Sequence, residues 1–279
     1  MDNSSVQIGK FDFDINQIIM NLENFVKLYK QRPIKNNIGG MGFSNMFFFY
    51  LILKMKKPSF VIESGIFKGQ STWLIENTLP KCEILSIDID LSQREFISKK
   101  SNYSNKDFKF QDLKNIPRDT MVFFDDHVNH FDRLMEAKFF NIKNIIFEDN
   151  YPSGRGDFQT LKQIYNSYTF NHKPGLLSLI KTGFIFNKML LRKIFKSDFS
   201  VKFEMDKISK RIRDGYKVEN FQIIQNNLSV YYEFPLSILD IFNKEKINNN
   251  NFNNLIPDEL IQEINLYKSK SPFTYLELI

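Results

Sequence analysis

Carboxylates and a histidine directly follow two short apolar segments of the chain. Asp125, Asp126 and His127 follow the first segment, and Glu148 and Asp149 follow the second. Like charges at close range repel, so four neighbouring carboxylates require a cation, a shared proton or a substrate group among them. Their oxygen atoms suit Mg²⁺ or Mn²⁺ far better than zinc. The imidazole titrates near neutral pH and is a candidate base for a hydroxyl proton.

Each of these residues also has a purely structural interpretation. Asp126 precedes a helical pattern that begins near Val128, so it is a candidate N-cap. His130 lies three residues after His127, and only this spacing indicates a role in substrate binding, so a surface position is favoured for it. An N-cap role accounts for a single one of these acids more readily than for all four together. We therefore predict a functional site.

A third apolar segment ends at Glu63 and runs into a glycine turn (residues 64–69) before a helical pattern. Gly65 allows a tight turn and a close approach between a ligand and the backbone. The free N–H groups at the start of the helix, near Gly69, attract an anion such as a carboxylate. A plain strand-to-helix turn is the alternative for two glycines considered alone.

Acidic residues are predicted to close the two strands that come next along the chain. Asp88 ends the second strand, where a ribose diol would lie, and Asp112 ends the third. Asp90 is the second candidate for the ribose, because it should lie outside the strand. Each acid alone is typical of a solvated strand end, but their order after the glycine turn predicts a nucleoside pocket.

Short apolar segments alternate with helical ones through this part of the chain. The predicted strands are 60–63, 84–88, 108–111, 121–124 and 145–148, and the predicted helices begin near 69 and span about 92–99 and 128–140. This alternation predicts a Rossmann-like α/β fold with a doubly wound, mostly parallel sheet. Ligands bind such sheets at the carboxyl ends of the strands, so the acids should share one crevice.

The flanking regions are predicted to be mainly helical. We expect an N-terminal helical cap over 1–57, a core over 58–236 with a helical insertion at about 158–216, and a C-terminal helical tail over 237–279. Two strands around Asn226-Asn227 are expected to form an antiparallel hairpin that brings the sheet to seven strands.

The stretch from about 58 to 151 resembles class I S-adenosylmethionine-dependent methyltransferases. The resemblance rests on the pattern E/D-x-G-x-x-x-G at Glu63, Gly65 and Gly69, followed by an acid after the second strand. It implies S-adenosylmethionine as cofactor, with Asp88 on the ribose hydroxyls and Asp112 near the adenine amino group. The cofactor-binding residues implied are those of the turn and these two acids: Glu63, Gly65, Gly69, Ser71, Thr72, Asp88 and Asp112.

The later acids are similar to those of a subgroup that holds macrolide-sugar and rhamnosyl O-methyltransferases and the proteins named cephalosporin hydroxylases. The resemblance implies that Asp125 or Asp126, with Glu148 and Asp149, binds Mg²⁺ or Mn²⁺ near the acceptor hydroxyl. That subgroup has one or two residues between its Asp and the following His, whereas Asp126 and His127 are adjacent here. Two alternatives therefore stay open: His127 is the base, or a metal activates the hydroxyl and His127 orients it.

We predict O-methylation of a sugar, either nucleotide-activated or a polysaccharide precursor. Arg155 lies in a loop after the second acidic pair and suits a diphosphate, although a plain surface loop is equally well indicated. A non-catalytic nucleotide-binding or assembly protein of the same fold is the second hypothesis. An RNA methyltransferase is the third, and the dispersed charges disfavour nucleic acid as a partner.

Composition excludes several classes of protein. The net charge of +6 comes from 38 basic and 32 acidic residues without a basic block. The single Cys82 excludes a disulfide framework and indicates a reducing compartment. The N-terminus lacks a secretory pattern, and the most apolar stretch, 46–55, is shorter than the roughly twenty residues of a membrane span. We expect a cytoplasmic protein without a transmembrane segment.

A basic and apolar segment at 175–196 has three interpretations. It is a helical insertion packed on the core, a homodimer interface or an amphipathic helix at a membrane surface. Packing or dimerisation is favoured, because the apolar residues are broadly distributed.

Overall fold

The computed structural model describes residues 7–9, 15–153, 155–169, 218–244, 255–266, 269 and 271–279. The basic segment 175–196 and most of the predicted insertion lie outside these residues. Within the described ranges, none of the helices combines the length and apolar character needed to cross a membrane.

Eight strands of the described part of the chain form one sheet. They are β1 (Gln7–Ile8), β2 (Phe60–Ser64), β3 (Glu83–Ile87), β4 (Ser101–Ser104), β5 (Met121–Phe124), β6 (Asn144–Phe147), β7 (Leu228–Glu233) and β8 (Thr274–Leu278). Their order is β1-β7-β8-β6-β5-β2-β3-β4. The strands from β6 to β4 are mutually parallel, and β8 runs antiparallel between β6 and β7. The predicted Rossmann-like α/β class with antiparallel C-terminal strands is therefore confirmed.

Helices connect and cover the strands. They are α1 (Ile15–Tyr29), α2 (Phe43–Lys56), α3 (Gln70–Thr78), α4 (His130–Phe139), α5 (Leu161–Thr169), α6 (Val218–Asn227), α7 (Ile238–Lys244) and α8 (Asp258–Leu266). Helix α3 links β2 to β3, and α4 links β5 to β6. The central strand β5 is buried at every position, as expected for a parallel strand covered on both faces.

Helix α2 is part of the hydrophobic core. All of its residues from Phe43 to Leu53 are buried, and it contacts α1, α3 and α8. Phe49 stacks on Phe123 of β5 with ring centroids 4.5 Å apart. A helix that is apolar on all sides must be covered on all sides, which explains why the polar Asn45 in its first turn is also buried.

The C-terminal part of the sheet corrects two expectations. The predicted hairpin around Asn226-Asn227 is wrong, because 218–227 is helical and β7 pairs with the distant β8. The two asparagines lie at the end of α6, where Asn227 Nδ2 donates to the Ile223 carbonyl. The segment predicted as a helical tail contributes β8, whose apolar residues are buried between β6 and β7.

The third parallel strand also differs from the prediction. It is Ser101–Ser104, not 108–111, and the latter region holds a 3₁₀ turn at Phe108–Phe110. β4 lies at the edge of the sheet and is only partly buried. Its sequence therefore lacks the apolar run by which the buried strands were recognised. Phe108 is buried because its ring packs edge-on against Phe124, with centroids 5.0 Å apart. The helix expected at 92–99 is only a 3₁₀ turn at Leu91–Gln93.

Candidate functional site

The carboxyl ends of four parallel strands lie side by side at one edge of the sheet. Ser64 at the end of β2 pairs with Ile87 of β3 and Phe124 of β5, and Phe124 pairs with Phe147 of β6. The backbone pairing continues beyond the strands, since the Asp125 N–H donates to the Ser64 carbonyl at 2.8 Å. The polar residues that follow these strands are therefore neighbours.

The glycine turn is shaped by backbone contacts from other parts of the chain. Gly65 has φ +96°, and a Cβ there would lie 2.2 Å from the carbonyl oxygen of Asp125. Gly69 has φ +92°, and its Cβ would lie 2.5 Å from the carbonyl oxygen of Phe96. Both positions therefore require glycine for conformation and for space. The turn delivers the N-terminus of α3 to the carboxyl edge of the sheet.

Glu63 is fully buried beneath this turn. Its Oε2 accepts hydrogen bonds from Thr72 Oγ1 at 2.6 Å and Ser86 Oγ at 2.9 Å, while Oε1 has no hydrogen-bond partner among the described residues. Burial raises the pKa of Glu63 to about 7, because an ionised carboxylate loses its hydration there. Sequence reasoning singled out Thr72 as a cofactor ligand, and its hydroxyl bonds to Glu63.

Glu63→Gln is expected to change how stability depends on pH. The folded pKa lies above the ordinary value of 4.5, so the protonated group contributes fully below pH 4.5 and its contribution is lost as the pH rises through 7. Between pH 4.5 and pH 8, the stability of the variant relative to wild type should therefore improve by roughly 3 kcal/mol. Urea unfolding at both pH values measures this. Exposed Glu83→Gln is the control, and parallel pH profiles for wild type and Glu63→Gln would contradict the prediction.

Asp88 holds the glycine turn from the end of β3. Its Oδ2 accepts from the N–H groups of Ile66 at 2.8 Å and Phe67 at 3.1 Å, and its Oδ1 accepts from the N–H of Asp90 at 3.0 Å. A carboxylate accepts about four hydrogen bonds, so a ribose hydroxyl can still be accommodated. Asp90 is exposed and bonds to Ser92 in its own loop.

Asp112 does not close a strand. It is exposed and follows the 3₁₀ turn at Phe108–Phe110, so the position expected for it at a strand end is wrong. Ser104 ends β4 instead, where its hydroxyl accepts from Gln111 Nε2 at 2.9 Å. A contact between Asp112 and adenine stays a prediction.

A small cavity, partly open to solvent, lies against the glycine turn. Its lining comes from the turn, from the segment before α2 and from the end of β5: Asn37, Gly40, Met41, Ile66, Phe67, Gln70, Ser71 and Asp125. Ser71, expected to bind the cofactor, is in this lining. The contribution of Asn37 was missed by sequence reasoning.

Three side chains form an Asp-His-Asp cluster beside the cavity: Asp125, His127 and Asp149. Each offers a ligand atom, and these atoms lie within 4.8 Å of one another. His127 has φ +56° and a largely exposed ring, whose Nε2 lies 3.7 Å from Asp149 Oδ2. Burial of the Asp125 carboxyl, followed by the negative charge of Asp149, raises its pKa well above the ordinary value. Two carboxylates and an imidazole with this spacing suit a divalent cation or a proton.

Asp157 completes the surroundings of His127. Its Oδ1 lies 3.3 Å from His127 Nδ1, across from Asp149. Ser271, which precedes β8, donates to Asp149 Oδ1 at 3.0 Å. Sequence reasoning missed both residues, although Asp157 belongs to the loop that was singled out for Arg155. The Arg155 side chain is exposed, and the Arg155 N–H donates to the Pro152 carbonyl at 3.2 Å.

Asp126 is directed away from this cluster. Its Oδ2 accepts from Arg133 Nε at 2.9 Å and from Ser64 Oγ at 2.6 Å. Arg133 is buried and also bonds to Asp107, so its charge is neutralised within the core. The N-cap expected at Asp126 is Asn129, whose Oδ1 accepts from the Phe131 N–H at 2.9 Å.

Glu148 and His130 are likewise occupied by structural contacts. Glu148 Oε1 accepts from Asn45 Nδ2 of α2 at 2.6 Å, and burial followed by the charge of Asp149 raises the pKa of Glu148 well above its ordinary value. The surface position expected for His130 is wrong. Its ring is buried and stacks on Phe147 with centroids 3.9 Å apart, and burial lowers its pKa well below the ordinary range.

Comparisons with known proteins give matches among solved structures only. No family model matches the chain, and no curated protein matches it. A structure described as CmcI with Mg and SAM is 15% identical, covering 58% of this chain and 70% of its own, with a TM-score of 0.35. An SAH-bound methyltransferase from Podospora anserina is 10% identical, covering 52% and 64%, with a TM-score of 0.32.

The plantazolicin methyltransferase BpumL, in complex with a triazolic desmethylPZN analog and SAH, covers most of both chains. It is 14% identical over 95% of this chain and 90% of its own, with a TM-score of 0.39. Two of these three structures are thus described as methyltransferases with SAH bound.

Proposed function

We propose that this chain is an S-adenosylmethionine-dependent O-methyltransferase. The observation that carries the proposal is the double position of Asp125, which lines the cavity at the glycine turn and also belongs to the Asp-His-Asp cluster. A methyl donor in the cavity and a hydroxyl at the cluster would then be neighbours. Holding both reactants in this way accounts for a large part of the rate enhancement in group transfer.

The residues around the cavity fit the cofactor. The carbonyl oxygens of the Asn37 and Gln70 side chains are buried without a hydrogen-bond partner among the described residues, and Asp125 adds a carboxylate. Such surroundings favour a ligand that carries positive charge and N–H donors. Asp88, at the carboxyl end of β3, is available for a ribose diol. S-adenosylmethionine has these features, and when bound it supplies an electrophilic methyl group on a positively charged sulfur.

His127 is the base in this proposal. Its ring is exposed to an incoming acceptor and is held between Asp149 and Asp157. The proton of the acceptor hydroxyl would pass to a ring nitrogen as the oxygen forms its bond to the methyl carbon and the carbon–sulfur bond breaks, which leaves S-adenosylhomocysteine as the second product. The two carboxylates then stabilise the imidazolium ion. Such proton removal contributes roughly 10²- to 10⁴-fold to rate.

The cluster also fits Mg²⁺ or Mn²⁺. Asp125, Asp149 and His127 would be the ligands, and the metal would lower the pKa of a bound hydroxyl. Asp126 and Glu148 have other hydrogen-bond partners, so we leave them out of this ligand set. With a metal present, His127 would serve as a metal ligand and would position the acceptor only through the metal, rather than removing its proton.

A sugar hydroxyl is the acceptor that we propose, on a nucleotide-activated or polysaccharide-precursor sugar. Hydrogen-bonding carboxylates lie beside an aromatic ring in this region, since the Phe158 ring centroid is 5.5 Å from that of His127. Sugars use both kinds of contact, through their hydroxyl groups and their apolar C–H faces. The exposed Arg155 on the same loop suits a diphosphate.

The test is methyl transfer by the purified protein. Labelled S-adenosylmethionine is incubated with a panel of nucleotide sugars, with added Mn²⁺ and separately with a chelator. We expect label in a sugar product that depends on the cofactor. The absence of both cofactor binding and transfer would overturn the proposal, while binding without transfer to any acceptor would favour a non-catalytic binding protein.

A further inference from the structure

Two side-chain amides line the cavity with carbonyl oxygens that have no hydrogen-bond partner in the described part of the chain. Gln70 is 3% exposed, and it is its Oε1 that has no partner there, while its Nε2 faces Met46 Sδ at 3.9 Å. Asn37 Oδ1 is also buried without a partner among the described residues, while its Nδ2 donates to the Met41 carbonyl at 3.3 Å. In both amides it is the NH₂ group that makes these contacts, so the atom without a partner among the described residues is the carbonyl oxygen. A buried acceptor without a donor costs about 1 to 3 kcal/mol, so these oxygens indicate a ligand that donates hydrogen bonds.

The charged and polar groups of the cavity are arranged for a zwitterion. Among the residues that the structure describes, its lining contains the carboxylate of Asp125 and no Lys, Arg or His side chain. Close by, the nine-residue helix α3 begins at Gln70 without a side-chain cap, which leaves backbone N–H donors for an anion. The amino-acid end of a ligand carries both an ammonium group and a carboxylate. The ammonium group matches the acidic lining, and the carboxylate matches the N–H donors at the start of α3.

The segment 36–41, here called the strap, is tied to the glycine turn by a hydrogen bond. Lys68 Nζ donates to the Asn36 carbonyl at 3.1 Å. A Cβ on Gly40 would lie 2.6 Å from Asn37 Nδ2, so glycine is needed there for the amide to keep its place. The strap therefore holds Asn37 over the cavity independently of the sheet.

We propose that Asn37 and Gln70 form an amide pair that binds the ammonium group of the cofactor. Asn37 Oδ1 and Gln70 Oε1 accept its N–H hydrogen bonds, and the strap is part of the cofactor site. This inference rests on the proposed function. It specifies which residues would distinguish the whole cofactor from a nucleoside that lacks the amino-acid end. Both are positioning residues for the cofactor and take no part in proton transfer.

Isothermal titration calorimetry with two ligands tests the amide pair. S-adenosylhomocysteine carries the amino-acid end, whereas 5′-methylthioadenosine has the same nucleoside without it. Gln70→Met and Asn37→Ala remove an acceptor oxygen each and are expected to weaken S-adenosylhomocysteine about tenfold, in line with one hydrogen bond to a charged group. The affinity for 5′-methylthioadenosine should stay unchanged. Gln70→Glu keeps an acceptor and should retain binding of S-adenosylhomocysteine.

A further variant acts on the pair without removing an acceptor. Gly40→Ala displaces the Asn37 amide and should also weaken only S-adenosylhomocysteine. Thermal unfolding confirms that each variant is folded. Equal losses for both ligands, or no loss for either, would overturn the inference while leaving the proposed function intact. If the wild type binds neither nucleoside, the proposed function fails, and the inference fails with it.

Discussion

His127→Ala is expected to lower the methyl-transfer rate by about 10³-fold while leaving cofactor affinity unchanged. His127 is the exposed imidazole of the Asp-His-Asp cluster, held between Asp149 and Asp157, and it is not in the lining of the cavity. Removing it takes away the group that accepts the hydroxyl proton or orients the hydroxyl. Single-turnover kinetics with saturating S-adenosylmethionine, together with calorimetric binding of S-adenosylhomocysteine, measure the two effects separately.

His130→Phe is the matched control for this loss. The His130 ring is buried and stacks on Phe147, and a phenyl ring preserves that stacking. The control should keep a rate close to that of the wild type. A similar loss in both variants, or a near-normal rate in His127→Ala, would rule out the role proposed for His127.

Asp88→Ala is expected to weaken the binding of S-adenosylhomocysteine by about 100-fold or more. The Asp88 carboxylate is proposed to accept from the ribose, and it also holds the N–H groups of Ile66 and Phe67 in the turn. Hydrogen bonds to a charged group contribute roughly 1.5 to 3 kcal/mol each, so losing the ribose contacts alone gives an effect of this size. Titration calorimetry measures it directly.

Asp90→Asn provides the comparison, two residues along the same loop. Asp90 is exposed, and its hydrogen bonds to Ser92 and Gln93 lower its pKa to about 2. Its bonds are made within its own loop, so the affinity for S-adenosylhomocysteine should change little. If Asp90→Asn weakens binding as much as Asp88→Ala does, the ribose acceptor has been assigned to the wrong acid.

The parts of the fold that sequence predicted well are those with a strong local signal. β2, β5 and β6 are continuous apolar strands that end abruptly in acids, and the first of them is followed by glycines. β4 has the polar sequence Ser101–Ser104 and lies at the sheet edge, so no alternation or apolar run reveals it. β8 pairs with two strands that are distant in sequence, and such pairing leaves no local pattern.

The details of the site depend on tertiary contacts that local patterns do not contain. Asp125 and Asp126 are adjacent acids, and sequence alone left them as alternatives. Asp126 is bonded to Arg133, which is buried because α4 begins at His130 and turns this arginine towards Asp107. The contact of Asn45 with Glu148 had only an indirect signal in the sequence, a polar residue within a largely apolar helix.

The contact between Gly65 and the carbonyl of Asp125 sets a fixed spacing within the candidate site. No methyl group fits between these two backbone segments, and they cannot separate without opening the pairing of β2 with β5. In the proposed function, the distance between methyl donor and acceptor would thus be dictated by main chain rather than by side-chain rotamers. Substitutions at the rim, in the loop that carries Arg155 and Phe158, could therefore alter which compound is modified while the geometry of transfer is preserved.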